Sequence, residues 1–503
     1  MNQWVSDAPG AEATPVSTRN RDLAIIAVVA LVFYALNVDY WVYGDSALYA
    51  DYSLRREFKE VTLHLGYYWL VIMAQTTLGD LFQLPIQETM AWLNVTFGVG
   101  TVCVSYLLAL ELLGSRRTAL ITAAILGISG RMITNSTSSE VYVTQTFFVL
   151  LSFLWFMREK LFWTAATAAM ALLISPLSAF AFLFYPVVDF ERSGRIRWIV
   201  LLKLAAFTTL MYLPYLIIHG HDLLWGARGL LVINESTRTD PLSAALNFPK
   251  YQFKQYTAML VLLVPALLAL RKYRYFLLLS AAVSIPHIYI VLKLTGEDNV
   301  FILNTDFFFA AILALGWTEL LRQNATRWIG PAAIAAHVIL LTVSRSIFHF
   351  NSHRDYPSEL RGFYEQHLMN QDAAVITDWG TAVAFVLHAR DSAITSPLYE
   401  ALFNRVYDIE GSVPRDSLVR HARDLYVIDR WNPTPLNRLL RPEKSLRLQM
   451  DRNSVARISE RRLGLACTLL ETKTNRYYRC LRITPLPNGL SPNAAEPVVK
   501  PPT

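Results

Sequence analysis

The feature that most constrains this chain is a series of long apolar runs separated by short polar segments. A membrane-spanning helix needs about 20 mostly apolar residues. Such runs lie at 22–38, 88–113, 118–134, 140–157, 161–190, 197–218, 256–270, 275–294, 301–321 and 327–347. After about residue 350 the hydropathy falls and no further run appears. Within a bilayer every backbone polar group must be satisfied inside the segment or in a closed barrel, and runs of this length read as helices. Composition agrees, since 53% of the 503 residues are hydrophobic and only 17% are charged. Soluble domains run nearer about 45–50% apolar and about 25% charged. A soluble enzyme of two or three domains is excluded, and 21 Gly, 23 Pro and 3 Cys exclude collagen, low complexity and a disulfide scaffold. The net charge of +7 would suggest nucleic acid in a soluble protein. Here it fits basic loops, so no nucleic-acid partner is expected and the bilayer is.

Lys and Arg set the orientation. With Arg19 and Arg21 inside, the inside loops hold Arg116 and Arg117, Arg158 and Lys160, Arg192, Arg195 and Arg197, Arg271, Lys272 and Arg274, and Arg322 and Arg327. The short outside turns 134–139, 175–176 and 295–300 carry no Lys or Arg. This alternation requires two things. The run 161–190, too long for one upright helix, is a hairpin of two short helices turning at Ser175-Pro176, where proline disfavours helix in the residue before it. The run 64–79 lies along the interface, because a crossing there would invert every later loop. The result is about eleven spans, N-terminus inside and C-terminus outside.

Four regions follow: a polar cytoplasmic tail at 1–21, a transmembrane domain at 22–349 with a first outside loop at 39–87, a soluble extracytoplasmic α/β domain at 350–483, and a Pro-rich tail at 484–503. In the third region, 372–377 and 424–429 read as buried strands, 380–390 as a helix, and 465–483 as a hairpin around Thr472–Asn475. Asp378 is either a helix N-cap or a ligand contact. A turn centred between Lys473 and Thr474 sets Cys467 opposite Cys480, close enough for a disulfide in an oxidising compartment. Cys103, in an apolar run, is expected to be a buried thiol.

The residues able to carry chemistry cluster at the outer boundary. The first outside loop places Asp39, Asp45 and Asp51 just past a span. Asp45 follows Gly44, where the chain can turn tightly, and a carboxylate in partly apolar surroundings accepts a proton more readily. Glu140, in NSTSSEVYV, sits at the mouth of a span; it reads either as an acidic site residue or as a first-turn helix carboxylate capped by Ser136–Ser139. His64, Tyr67, Tyr68 and Trp69 open the interfacial stretch, where aromatics commonly form a belt. Arg131 lies within an apolar run; an intramembrane cation reads as a functional residue or as one snorkelling to the headgroups. No P-loop, GxGxxG or HExxH motif is present.

These pieces resemble a family. Gly44-Asp45-Ser46, His64-Leu65-Gly66-Tyr67-Tyr68, Trp92-Leu93-Asn94 and Glu140-Val141-Tyr142 follow the order and spacing of the protein O-mannosyltransferase-like branch of the GT-C glycosyltransferases. The resemblance covers about residues 20–190, and TDWGTAVAFVL (377–387) weakly resembles the outside domain of that branch. Two departures stand out: the double proline after His64 is absent, and LNTDFFF (303–309) lacks an Arg-Tyr pair. The resemblance implies a polytopic α-helical membrane protein of GT-C-like fold that moves a sugar from a polyprenyl-phosphate donor to a protein or surface-glycan acceptor on the outer face, in a bacterial plasma membrane. It makes Asp45 the base that deprotonates the acceptor and gives Glu140 a role in orienting it. It places His64, Tyr67 and Tyr142 at the substrate. Outside-facing cations would hold the phosphate, and Arg55, Arg56, Lys59, Arg131, Arg228 and Arg238 qualify. No cofactor is certain, and a divalent metal is left open. The competing readings are a transporter or lipid flippase, and a non-catalytic envelope assembly protein.

Overall fold

The computed structural model describes residues 15–40, 45–56, 64–236, 248–249, 252–270, 273–295, 302–322, 324–345, 356–368, 373–377, 406–408, 424–430, 455–456, 459, 465–472 and 475–482. Lys59, Arg238, Asp378, the helix expected over 380–390 and the tail 484–503 lie outside them. The chain divides into two compact units, Met1–Val38 with Tyr52–Thr342, and Asp39–Asp51 with Val343–Thr503.

The first unit is helical. Helix α1 (Val16–Ala35) precedes α2 (Asp45–Arg55), α3 (Leu65–Ala74), α4 (Ile86–Leu113), α5 (Arg116–Gly127), α6 (Gly130–Thr137), α7 (Tyr142–Met157), α8 (Leu161–Ile174), α9 (Phe184–Ser193), α10 (Trp198–Ser236), α11 (Leu263–Leu270), α12 (Arg274–Thr295), α13 (Leu303–Leu320) and α14 (Ile329–Arg345). The basic residues assigned to the inside do gather at one end. Asp22, buried in α1, accepts from Arg116 Nε at 2.6 Å, Arg116 Nη2 at 2.7 Å and Tyr106 Oη at 2.8 Å. Glu111 accepts from Arg158 Nε at 3.1 Å, and Asp189 from Arg197 Nε at 2.6 Å. Arg192 Nη1 donates to Met157 O at 2.7 Å. Arg116, Arg158, Arg192 and Arg197 thus each meet a carboxylate or a helix C-terminal carbonyl, where a cation is favoured.

The hairpin at Ser175-Pro176 forms as expected. Ser175 is extended (φ −157°, ψ 121°), and Pro176 opens a 3₁₀ segment running to Leu183. Helix α9 then returns beside α7: the Phe153 and Phe184 rings stack at 4.0 Å, Tyr185 Oη donates to Ser152 Oγ at 2.9 Å, and Arg192 ends at Met157. The stretch from His64 starts at this turn. Its Nδ1 lies 2.7 Å from Ile174 O. A Cβ added to Gly66 would lie 3.0 Å from the backbone of Leu173 and Ile174, so only glycine lets α3 rest there without a shift. After α3 a π-helical turn (Gln75–Gly79) bends the chain, and Gln75 Nε2 donates to Leu84 O at 3.1 Å just before α4. The segment thus enters and leaves at the end of the bundle opposite Asp22 and Arg116, with Trp69, Met73, Leu78, Leu81 and Phe82 exposed along it.

The spans are seen in part, and the run 118–134 needs correction. Among the described residues, three helices are long and apolar enough to cross a bilayer, Ile86–Leu113, Trp198–Ile218 and Gln252–Ala269, or four if a bent pair is one span. Leu161–Ile174, which ends at the Ser175 break, and Ile329–Val343 are apolar but shorter. The run 118–134 is likewise not one helix, because α5 stops at Gly127 and α6 starts at Gly130.

The unit boundary divides α2: Asp45–Asp51 belong to the second unit, and of these Ser46, Ala47, Tyr49, Ala50 and Asp51 are buried. Helix α15 (Tyr356–His367) precedes β1 (Ala373–Thr377), β2 (Val406–Asp408), β3 (Asp424–Arg430), β4 (Leu465–Thr472) and β5 (Asn475–Arg482). The sheet order is β2-β1-β3-β5-β4, with β1 parallel to both neighbours and β5 antiparallel to β3 and β4. Every residue of β1 is buried, as its unbroken apolar run requires of a central parallel strand. Helix α15 docks on the sheet through Phe363, stacked on Tyr477 at 4.7 Å, and through Tyr477 Oη, which donates to Glu359 Oε1 at 2.5 Å. The expected hairpin is β4–β5. Cys467 faces Cys480 with Cα atoms 4.0 Å apart, and the two are disulfide-bonded. Strand β2, three residues long, was not anticipated. Cys103 is free and only half-buried, not fully buried as expected.

Candidate functional site

The site is built on a bend. Gly127-Ile128-Ser129-Gly130 ends α5, and Ser129 Oγ accepts from Met132 N at 3.3 Å to cap α6. Helix α6 runs only to Thr137, Ser138 is extended, and α7 begins at Tyr142. The two helices meet at 113°. Glu140 therefore sits in the turn itself, half-buried, and not in the first turn of a helix. The alternative reading of it as a first-turn carboxylate does not hold. Arg131 lies on the short helix α6, which forms the bent pair with α7.

Asn94 of α4 ties this bend down. Its Nδ2 donates to Ser138 O at 2.6 Å and to Glu140 O at 2.5 Å. Its Oδ1 accepts from Tyr67 Oη of α3 at 3.3 Å and from Thr144 Oγ1 of α7 at 3.4 Å. An asparagine amide offers two N–H donors and two oxygen lone pairs, and all are engaged here in a fully buried setting. Three separated sequence pieces, HLGYY, WLN and EVY, thus converge on one side chain.

Behind the bend lies a second polar layer. Arg131 pairs with Asp306 of α13, each side chain 1% exposed. Its guanidinium is sealed from solvent, so the snorkelling alternative is excluded. Asp306 stands in the first turn of α13, where a negative charge is favoured. Two residues earlier, Asn304 Oδ1 accepts from Thr146 Oγ1 of α7 at 2.9 Å. His337 of α14 bridges Ile128 O at 2.9 Å and Thr257 Oγ1 at 2.6 Å. The carbonyl can only accept, so Nε2 carries a proton. The stretch LNTDFFF, where the family's Arg-Tyr pair is missing, is thus filled by groups that anchor α6 and α7. Sequence reading missed Asn304 and Asp306; the signal available was a second intramembrane charge able to neutralise Arg131.

The other candidates are placed as follows. Tyr67 is buried, and His64 is half-buried at the end of α8. Tyr142 is buried as the first residue of α7. Arg56 is exposed just after α2, with φ 55°. Asp45 opens α2, Arg55 closes it and Arg228 lies within α10, but the side chains of these three are outside the described residues. Asp51 is buried in α2, and Asp39 is half-buried. Among the described residues no three or more His, Cys, Asp or Glu side chains are grouped to hold a metal ion.

Residues 73–183 match the dolichyl-phosphate-mannose-protein mannosyltransferase family model. An uncharacterized protein of Aquifex aeolicus (strain VF5) is 30% identical over 167 residues, covering 29% of this chain and 32% of that protein. The match thus spans about a third of that relative's length. ArnT from Cupriavidus metallidurans bound to undecaprenyl phosphate superposes with a TM-score of 0.55 at 10% identity, over 92% of this chain and 98% of ArnT. The oligosaccharyltransferase AglB from Archaeoglobus fulgidus, in complex with an inhibitory peptide and a dolichol-phosphate, superposes with a TM-score of 0.50 at 12% identity, over 82% of this chain and 69% of AglB. Residues 73–183 are therefore similar to the dolichyl-phosphate-mannose-protein mannosyltransferase family model, and the chain shares the fold of ArnT.

Proposed function

We propose that this protein is a glycosyltransferase that moves a sugar from a polyprenyl-phosphate donor to a protein or surface-glycan acceptor on the outer face of a bacterial plasma membrane. The observation that carries it is the convergence of HLGYY, WLN and EVY on Asn94, at the end of the bundle away from the basic loops. The structures of ArnT and AglB, which share the fold, hold undecaprenyl phosphate and a dolichol-phosphate respectively. The acceptor oxygen attacks the anomeric carbon and the lipid phosphate leaves. A phosphate is a good leaving group, so one base and cations on the phosphate suffice. Asp45 is the base, Glu140 orients the acceptor hydroxyl, and His64, Tyr67 and Tyr142 contact the substrate. Arg55 and Arg56 hold the phosphate. Arg131, already matched by Asp306, serves it through the placement of α6.

The test uses the purified full-length chain in vesicles with radiolabelled polyprenyl-phosphate sugars. Release of polyprenyl phosphate, dependent on added acceptor, is the expected result. Donor that crosses the bilayer with its sugar still attached would instead establish a flippase and overturn the reading.

The same reading carries a topology of about eleven spans with residues 350–503 outside. With Cys103 replaced by Ala, cysteines at Arg117 and Ser193 should react with a membrane-impermeant maleimide only after permeabilisation. One at Ser358 should react in intact cells. Reaction of the Arg117 position from outside would refute the orientation, since it would force 64–79 to cross.

A further inference from the structure

Glu140 lies where no helix holds it. It precedes α7, whose N-cap residue Val141 makes no side-chain capping bond. The chain turns through 113° around it. What holds this turn is the Asn94 amide, which meets the carbonyls of both Ser138 and Glu140. Those carbonyls can only accept, so the nitrogen of the amide must face them. The hydroxyls of Tyr67 and Thr144 on the opposite side fix the oxygen and keep the amide from flipping. A planar group held by four bonds in a dry interior has one orientation, and cooperative networks of this kind are rigid when every member is satisfied.

We propose that Asn94 is a positioning residue for Glu140, fixing the main chain of the Ser138–Glu140 turn and thereby where the Glu140 carboxyl is presented to the acceptor. This rests on the reading of Glu140 as the group that orients the acceptor. Asn94 reaches Glu140 through that turn; it also holds the Tyr67 hydroxyl, and a Glu140→Gln background separates the two routes. A shift of about 1 Å at such a group can cost about 100-fold in rate. Only an amide serves: a carboxylate would set its oxygen against two carbonyls, and an aliphatic side chain would leave both unpaired.

The test is a double-mutant cycle on donor-dependent transfer in the full-length protein. Asn94→Leu keeps the approximate size and removes all four bonds. It should lower kcat by about 10- to 100-fold and leave the KM for the lipid donor within about twofold. In a Glu140→Gln background the same change should have no further effect, because residues acting as one unit are non-additive. Thr144→Val removes one bond, folds more safely, and should lower kcat by about two- to tenfold, again only when Glu140 is present. Hydrogen exchange in Asn94→Leu should quicken at residues 138–144 and not elsewhere in α4 or α7. Losses that multiply in full in the double variant, normal kcat in Asn94→Leu, or unchanged exchange over 138–144 would each overturn the proposal. Wild-type kcat in Glu140→Gln would overturn the reading of Glu140, while the exchange data still report the tie to Asn94.

Discussion

Asp45→Asn should lower sugar transfer by about two orders of magnitude or more while the protein still folds. The substitution keeps the size of the side chain and removes its ability to take the acceptor's proton. Asp45 is the first residue of α2. A carboxylate there is favoured by the helix by only about 0.3–1 kcal/mol, and asparagine is itself well tolerated at a helix start. The loss of rate and the loss of stability are therefore of different sizes, and measuring both separates chemistry from folding. The comparison variants are Asp39→Asn and Asp51→Asn. Asp51 is buried, so its replacement should act on stability first. Donor consumption in single turnover, at saturating lipid, is the decisive measurement. Near-normal transfer by Asp45→Asn, with loss in either comparison variant, would move the base to that residue.

The second large effect is expected at the Arg131–Asp306 pair. Both side chains are closed off from solvent. Desolvating two charges is costly, and breaking such a pair from one side leaves an unmatched buried charge, worth about 3–5 kcal/mol. Asp306→Leu alone should lower the unfolding midpoint strongly. Arg131→Met alone strands the carboxylate and should do the same. The double variant should recover most of the loss, because replacing both members by apolar groups of similar volume is often neutral. Thermal unfolding of the detergent-purified variants, followed by intrinsic Trp fluorescence, measures this cycle. Single variants as stable as the parent would show that the two groups do not depend on one another. The same variants should also slow transfer, since α6 leads into the turn that carries Glu140.

How much of this was legible in advance differs by element. Hydropathy and the placement of Lys and Arg settled the gathering of Arg116, Arg158, Arg192 and Arg197 at one end, because the rule they follow depends only on sequence position and charge. Ser175-Pro176 marked the hairpin because proline acts on the residue before it, which is a local effect. The facing of Cys467 and Cys480 followed from counting back from a short turn, since antiparallel register is fixed once the turn is placed. The break before α6 was also local, written as Gly127, Ser129 and Gly130, but the apolar residues around it concealed it within a long hydrophobic run. Strand β2 is too short to show a period.

The candidate site was legible only in its parts. Sequence alone singled out HLGYY, WLN and EVY and their order, and it drew attention to Arg131 as a charge in an apolar run. It did not give Asn94 a task, place Glu140 in a bend, or pair Arg131 with Asp306. Those facts depend on contacts between residues 27 to 175 positions apart. A hydrogen bond or an ion pair leaves no periodic trace along the chain, because its partners are chosen by how the helices pack and not by spacing. The sequence by itself determined which segments are helical, the break at Ser175-Pro176 and which ends are basic. The tertiary structure decided which buried polar groups satisfy one another, since a donor sealed from water must find its acceptor on whatever neighbour the packing supplies.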